Sequence, residues 1–406
     1  MPAAISDLYV LSDRRIRRPF PWLMAVFVCL LMGSSPRFVQ AQSYPELLSD
    51  PEFVPAAQAA IDSLYNLRFE AAQSLLNPWK EQYPEHPFWL FWRGMELWWQ
   101  VVPDLENTAF DKELFYTFSK ANYDSGKLLR NAPGNLDLLL IQSASNAYIA
   151  RQYSNRHQWL NAVQHGKAAV ETLFLIEKID STLSDIKFGL GMYEYYTDYL
   201  PERYPVLDRV SWLWPDGDRK KGLEMITEAA KSAVFLRPES EYFLGNIYLN
   251  YEKKPEVAMK SIRMLSGRYP RNPFYAMLLL KTTNELSGSR RTIQMADSLS
   301  ALPHIQNSKY RYAFEERASV IRGRKFMRIG DLQSAEAQFE NAIQIAERAP
   351  EGKRRKRYAV SAYQLGRIAI KNDDKKTAKS YLKAAIKYTD DADLKTSARK
   401  LLKSLK

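Results

Sequence analysis

Apolar residues recur through residues 45–406 at spacings of three and four, with polar residues between them. This is the period of an α-helix that buries one face. The period-two alternation of a half-buried strand is not sustained in this stretch. Val206 to Trp214 comes nearest, but Leu207, Val210 and Trp214 also lie at helical spacing, which favours a short helix. The sequence therefore predicts an all-α fold.

The apolar pattern also repeats near the C-terminus. Two units hold four equivalent positions that are 43 residues apart: Gly323, Ala335, Phe339 and Ala342, then Gly366, Ala378, Leu382 and Ala385. Turn-forming residues follow each glycine, Gly330-Asp331 in one unit and Asn372-Asp373-Asp374 in the other. Each unit therefore predicts a helix, a tight turn and a second helix. Small residues at facing positions let the two helices approach to about 8–10 Å, and the phenylalanine or leucine fills the groove beside them.

Further units keep the same order of residues. They comprise Ala60, Ala72, Leu76, Pro84 and then Gly94; Gly191, Gly222, Ile226 and Ala229; and Leu244, Gly245, Tyr248, Ala258, Ile262 and Pro270. In the second of these units the two glycines are 31 residues apart, which leaves an insertion at 201–217 between the helices.

The pattern resembles the tetratricopeptide-repeat family, whose signature is W-x2-L-G-x2-Y, then A-x3-F, then P, over about 34 residues. The residues at its structural positions are Gly94, Gly191, Gly222, Gly245, Tyr248, Gly323, Ala335, Phe339, Gly366, Ala378 and Leu382. The unit with the insertion is also similar to the divergent repeats of tetratricopeptide repeat protein 39 and its yeast outer-mitochondrial relative. The resemblance implies a right-handed superhelical solenoid of antiparallel helix pairs. Its concave face, lined by the first helices, is then expected to bind a protein or peptide partner.

Residues 1–41 have the parts of a secretory signal peptide. Four arginines precede an apolar run of 11 residues, Trp22 to Met32, which is too short to span a bilayer of about 30 Å. Small residues favour cleavage between Ala41 and Gln42. An uncleaved anchor is the alternative, whereas the residues before Cys29 are too large for a lipoprotein signal.

The remaining chain divides into an array at 42–350, with the insertion at 201–217, and a basic C-terminal repeat with a capping helix at 351–406. No segment after the signal is apolar over a transmembrane length. After cleavage the chain would contain no cysteine, which suits a bacterial envelope better than a eukaryotic secretory pathway. We therefore expect an exported protein, periplasmic or associated with the outer membrane of a Gram-negative-type bacterium.

Few residues offer catalytic or metal-binding chemistry. The chain has one cysteine and four histidines, and it lacks the common phosphate-loop, nucleophile-elbow and zinc-protease motifs. His157 and His165 could share a helix face, but no acidic residue lies between them, so surface or core histidines are favoured over a metal site. An enzyme site in the insertion would lack an apparent acid–base pair. We expect a non-enzymatic protein without a cofactor or metal.

Two segments are rich in aromatic residues. The first holds Phe88, Trp89, Phe91, Trp92, Trp98 and Trp99, for which a buried helix is favoured over a ligand groove. The second holds Met192, Tyr193, Tyr196, Tyr199 and Tyr204. Tyrosine hydroxyls suit the edge of a groove as well as an interior. Tyr193, Tyr196 and Tyr199 are therefore candidate partner-binding residues.

The formal net charge of +12 is concentrated at one end of the chain. Residues 351–406 hold 17 Lys and Arg against six Asp and Glu. The densest part is the run Lys353, Arg354, Arg355, Lys356 and Arg357. A solvated terminal cap is one interpretation, and a binding surface for anionic envelope lipid or polysaccharide is the other. Behind a secretion signal, nucleic acid is disfavoured. The alternative function is thus an envelope structural protein that docks through this basic end.

Overall fold

A computed structural model describes residues 45–203 and 217–405, which hold eighteen α-helices and no strand. The first nine helices are α1 (Phe53–Tyr65), α2 (Phe69–Gln82), α3 (Phe88–Val101), α4 (Asp111–Leu129), α5 (Leu136–Asn155), α6 (Trp159–Ile179), α7 (Ile186–Arg203), α8 (Arg219–Ser232) and α9 (Arg237–Asn250). The others are α10 (Pro255–Arg268), α11 (Pro273–Leu286), α12 (Ser289–Ser300), α13 (Pro303–Gln306), α14 (Arg311–Ile329), α15 (Leu332–Arg348), α16 (Lys356–Lys371), α17 (Lys375–Lys387) and α18 (Ala392–Ser404). Short 3₁₀ helices lie at Leu47–Ser49, Val102–Asp104 and Gly352–Arg354.

The long helices pack as consecutive pairs, which confirms the predicted all-α repeat array. The pairs are α1/α2, α3/α4, α5/α6, α7/α8, α9/α10, α11/α12, α14/α15 and α16/α17, and α18 packs on the last of them. In each pair we call the earlier one the first helix and the later one the second helix.

Small residues lie where the two helices of a pair approach most closely. A Cβ added at Gly222 would lie 2.6 Å from the backbone nitrogen of Tyr195, so α7 and α8 are in backbone contact there. In the last pair, a Cβ at Gly366 would lie 2.9 Å from Leu382 Cγ. The equivalent atom at Gly323 would lie 2.8 Å from the ring of Phe339. These glycines are therefore needed for close helix approach.

The predicted turns are present and capped. Gly330 ends α14 in the left-handed conformation at φ 85°, and the Asp331 side chain then accepts a hydrogen bond of 2.9 Å from Ser334 N. In the next unit the Asp374 side chain accepts from Thr377 N at 3.0 Å. Each aspartate satisfies a free N–H group at a helix start, which fixes where the second helix begins.

Helix α7 continues to Arg203 and so includes the first residues of the range 201–217, and the insertion itself stays a prediction. The helix predicted within Val206 to Trp214, and Tyr204, lie outside the described residues. So do the predicted signal peptide and its cleavage position. None of the helices in the described ranges is both long and apolar enough to span a bilayer.

Candidate binding surfaces

The first-helix face of the early repeats is closed by contacts with later repeats. Tyr65 on α1 and Tyr148 on α5 both donate hydrogen bonds to Glu239 Oε1 on α9, at 3.1 and 3.2 Å. The guanidinium of Arg151 lies 3.6 Å from Glu239 and stacks over the Trp98 ring at 4.6 Å. Burial, and next the charge of Glu239, raises the pKa of both tyrosines well above the ordinary value. Three first helices thus meet at one buried carboxylate.

Further contacts seal the same face. Tyr269 donates to Asp62 at 2.7 Å, although 207 residues separate them in sequence. The ring of Trp99 on α3 lies 5.7 Å from that of Tyr275 on α11. The expected open groove along the first helices is therefore wrong for these repeats, because aromatic side chains from both sides fill it.

The aromatic helix α3 supplies much of this interior. Trp98 and Trp99 are fully buried, which confirms the prediction of core packing. Trp89 and Trp92 instead wall a cavity of about 720 Å³ between α2, α3 and α4. Four of its charged side chains are already paired with one another, in the Arg93–Glu96 and Lys120–Asp124 ion pairs. The cavity therefore gives little indication of a specific ligand.

The second aromatic segment lies half-buried on α7. Tyr195 stacks on Tyr199 with ring centroids 5.7 Å apart, and Tyr196 meets Tyr251 edge to face at 5.8 Å. Tyr193 packs against the ring of Phe174. These tyrosines pack mainly against other aromatic rings, and their part in partner binding stays a prediction.

The basic run 353–357 is not one free surface. Arg355 is fully buried and bonds both Asp104, at 2.9 and 3.0 Å, and Glu316, at 2.7 Å. These contacts raise its pKa above the ordinary value despite burial. The expectation that Arg355 contacts a partner is therefore wrong, because its guanidinium is already saturated by two carboxylates.

The neighbours of Arg355 differ in their surroundings. Arg357 forms an ion pair with Glu106 and is half-buried. Lys353 reaches Glu347 at 3.2 Å but stays exposed. Arg354 and Lys356 are exposed as well. Sequence reasoning missed the acidic partners, because Asp104 and Glu316 lie 251 and 39 residues from Arg355 and share no motif with it.

The sequence analysis also did not predict a group of exposed apolar residues on α4 and α6. On α6, Trp159, Leu160 and Val163 are 59%, 87% and 53% exposed. Tyr116 and Tyr123, seven residues apart on α4, are 64% and 65% exposed. We call these five residues the outer apolar surface. The available signal was the group of apolar residues at the start of α6, a helix of whose 21 residues only Ala169 and Ile176 are buried.

A chain of hydrogen bonds links the two helices that carry this surface. His165 on α6 donates through Nδ1 to Asn146 on α5 at 2.9 Å, and Asn146 donates to Asn122 on α4 at 3.0 Å. Asn122 directly precedes Tyr123, and His165 follows Val163 by two residues. Helices α4 and α6 are thus both hydrogen-bonded to α5.

The structure separates the two histidines considered for a metal site. His157 lies in the turn before α6 with φ 59°, so it does not share a helix face with His165 as the sequence suggested. Within the described ranges no group of three or more His, Cys, Asp or Glu side chains is arranged to hold a metal ion.

No protein-family model and no curated protein matches the sequence. Among solved structures, the human IFIT1 dimer with m7Gppp-AAAA is 14% identical over 88% of this chain and 73% of that chain, with a TM-score of 0.43. The Cut9 complex with Hcn1 is 12% identical over 84% and 64%, with a TM-score of 0.40. Yeast Tom70 is 10% identical over 87% and 95%, with a TM-score of 0.28. Each contains tetratricopeptide repeats, the family that this sequence resembles. At such scores these likenesses carry no argument about function.

Proposed function

We propose that the protein is an exported, non-enzymatic helical-repeat scaffold that binds an apolar segment of a partner protein on the outer apolar surface. The observation that carries this proposal is the exposure of Trp159, Leu160 and Val163 on one helix start. Exposed apolar side chains in such a group mark interaction sites in soluble proteins. The usual repeat-protein site, the first-helix face, is filled by the chain itself in the early repeats, which supports a site on the second helices.

The chemistry of the surface indicates its occupant. Three apolar side chains at helical spacing would contact an apolar stripe of about one to two helical turns. Tyr116 and Tyr123 add rigid rings with hydroxyl groups, a combination enriched at protein interfaces. A partner helix or extended segment with one apolar face satisfies both requirements.

Binding can be tested with Leu160→Glu, which places a charge at the most exposed apolar position. The matched control is Val257→Glu on α10, an exposed apolar residue away from this surface. Proteins that co-purify with the wild type from envelope extracts should be lost with Leu160→Glu and kept with Val257→Glu. Equal recovery with both variants would contradict the proposal.

Export is part of the same proposal. The described residues begin at Pro45, so cleavage after Ala41 would leave all of them in the mature protein. N-terminal sequencing of protein from the envelope fraction should return Gln42. Recovery of Met1 or Pro2 would remove the argument for export.

Docking through the basic end is the second candidate function. The observation in its favour is a set of exposed cations on the last two helices: Lys375, Lys376, Lys383, Lys387, Arg399, Lys400 and Lys403. Charge-driven attachment weakens with salt, because the screening length falls from about 10 Å at 0.1 M to about 3 Å at 1 M. Release of the protein from membranes by salt washes alone would support docking, and retention at 1 M salt would favour the apolar partner.

A further inference from the structure

Three arginines on two first helices lie close enough to influence one another. Arg317 and Arg324 are seven residues apart on α14 and so share one face of that helix. Arg357 lies in the first turn of α16, and its positive charge acts on both. We call these three residues the arginine group.

The carboxylates near the arginine group are already engaged. Asp104 and Glu316 are bonded by Arg355. Glu106 accepts from the side chain of Arg357 and, at 2.8 Å, from the backbone nitrogen of Lys356. The charges of Asp104, Glu106 and Glu316 also act on Arg317. Their ion pairs are nevertheless made with Arg355 and Arg357, and in the described chain none is made with Arg317 or Arg324.

Arg317 has a buried hydrogen-bond donor without an acceptor in residues 45–203 and 217–405. Its Nε atom is buried and has no hydrogen-bond partner among the described residues. Burial, followed by the charge of Arg357, lowers the pKa of Arg317 to about 10. The same two causes lower the pKa of Arg324, although the Arg324 side chain reaches solvent. A buried donor without an acceptor is unfavourable, so the arrangement favours an added anion.

We propose that the arginine group binds a phosphate group. Guanidinium groups donate paired hydrogen bonds to oxyanions. A tetrahedral phosphate presents enough oxygens for donors from both helices, whereas a carboxylate presents two. Because Arg324 is exposed, the anion can enter from solvent. This site is separate from the outer apolar surface, and neither proposal depends on the other.

The test uses the double variant Arg317→Gln/Arg324→Gln. The matched control is Arg354→Gln/Lys356→Gln, which removes the same charge from two exposed neighbours. Calorimetric titration with sodium phosphate, against sodium acetate at equal ionic strength, measures affinity, and thermal unfolding in both salts measures stabilisation. The wild type and the control should bind phosphate, and the double variant should bind it at least about tenfold more weakly.

The unfolding data keep the test independent of folding defects. In acetate the double variant should still unfold in one cooperative transition, since it loses the repulsion between Arg317 and Arg357 as well as the attraction of Arg317 to Asp104, Glu106 and Glu316. If it fails to fold, the single variant Arg324→Gln at the exposed position replaces it. An equal response of wild type and variant to phosphate would overturn the proposal, as would an equal response of the wild type to acetate.

The source of the phosphate is decided by a second arm. Sedimentation with phosphatidylcholine vesicles, with and without phosphatidic acid, measures binding to a lipid headgroup. Binding that needs phosphatidic acid, is competed by inorganic phosphate and is lost in the double variant would assign the site to a headgroup. Phosphate binding without vesicle binding would assign it to a soluble phosphate.

Discussion

Tyr65 donates a hydrogen bond of 3.1 Å to Glu239 across 174 residues of sequence, and both side chains are buried. The bond joins α1, at the start of the described array, to α9 in its middle. Together with Tyr148 and Arg151, it converts a face that repeat proteins commonly use for binding into an interior. In these repeats the face is therefore closed to a partner.

Removal of the Glu239 carboxylate should destabilise the protein strongly. Glu239→Ala leaves the charge of Arg151 and two tyrosine hydroxyls without their buried partner, so we expect a loss of about 3–5 kcal/mol in the free energy of unfolding. Tyr65→Phe removes one hydrogen bond and should cost about 0.5–1.5 kcal/mol. Urea denaturation measures both. The exposed Glu256→Ala is the control, and a Glu239→Ala loss no greater than that of the control would show that the face is open.

The buried Arg355 should contribute strongly to the stability of the fold. Arg355→Ala leaves Asp104 and Glu316 buried and unpaired, which predicts a loss of about 3–5 kcal/mol. The exposed Arg354→Ala next to it should change the free energy of unfolding by less than about 0.5 kcal/mol. Chemical denaturation of the two variants provides the comparison. Similar stabilities would mean that Arg355 is a surface cation after all.

Two glycine substitutions should change the free energy of unfolding in opposite directions. Gly222→Ala forces a Cβ to within 2.6 Å of the backbone of Tyr195, so we expect a loss of about 1–3 kcal/mol or more. Gly166→Ala lies in α6 with no atom within 4 Å of the new Cβ and should gain up to about 1 kcal/mol from helix propensity. Thermal unfolding distinguishes them. A gain in both variants would contradict the close contact of α7 and α8.

Two buried side chains, Asp137 and His86, should change the stability of the protein with pH in opposite directions. Asp137 accepts from Leu48 N at 3.0 Å, and burial raises its pKa to about 7. His86, 3.8 Å from Asp137, has its pKa lowered by burial to about 4. As pH rises from about 4 to 7, the raised pKa of Asp137 lowers stability. The lowered pKa of His86 raises stability up to about pH 6.5, so the two effects oppose each other.

Single variants should separate the two effects. Asp137→Asn should become more stable between about pH 4 and 6.5, and His86→Gln should become less stable between about pH 4 and 7. Each slope should approach about 1.4 kcal/mol per pH unit, the value for one proton. In the wild type the two contributions should largely cancel, so that these two groups change its stability little over this pH range. Denaturation at a series of pH values tests this, and parallel profiles for all three proteins would refute it.

The local architecture could be predicted from sequence, because each helix pair is encoded within about 40 residues. Gly366, Ala378 and Leu382 contact one another across a single turn, and their spacing is visible in the chain. The closed face could not be predicted, since Tyr65 and Glu239 meet only through the stacking of the repeats between them. The burial of Arg355 could not be predicted for the same reason. Its partners are distant in sequence, and nothing distinguishes it from the other four cations of the run 353–357.

The most direct test of the scaffold proposal is site-specific photo-crosslinking in cells that produce the protein. A crosslinkable residue is placed at Leu160 on the outer apolar surface, and in parallel at Tyr275 in the closed face and at Val257 on α10. The account predicts that position 160 forms a defined adduct with another protein, whereas positions 275 and 257 do not. An adduct at 275, with none at 160, would show that the first-helix face opens to bind the partner and that the outer apolar surface is not the binding site.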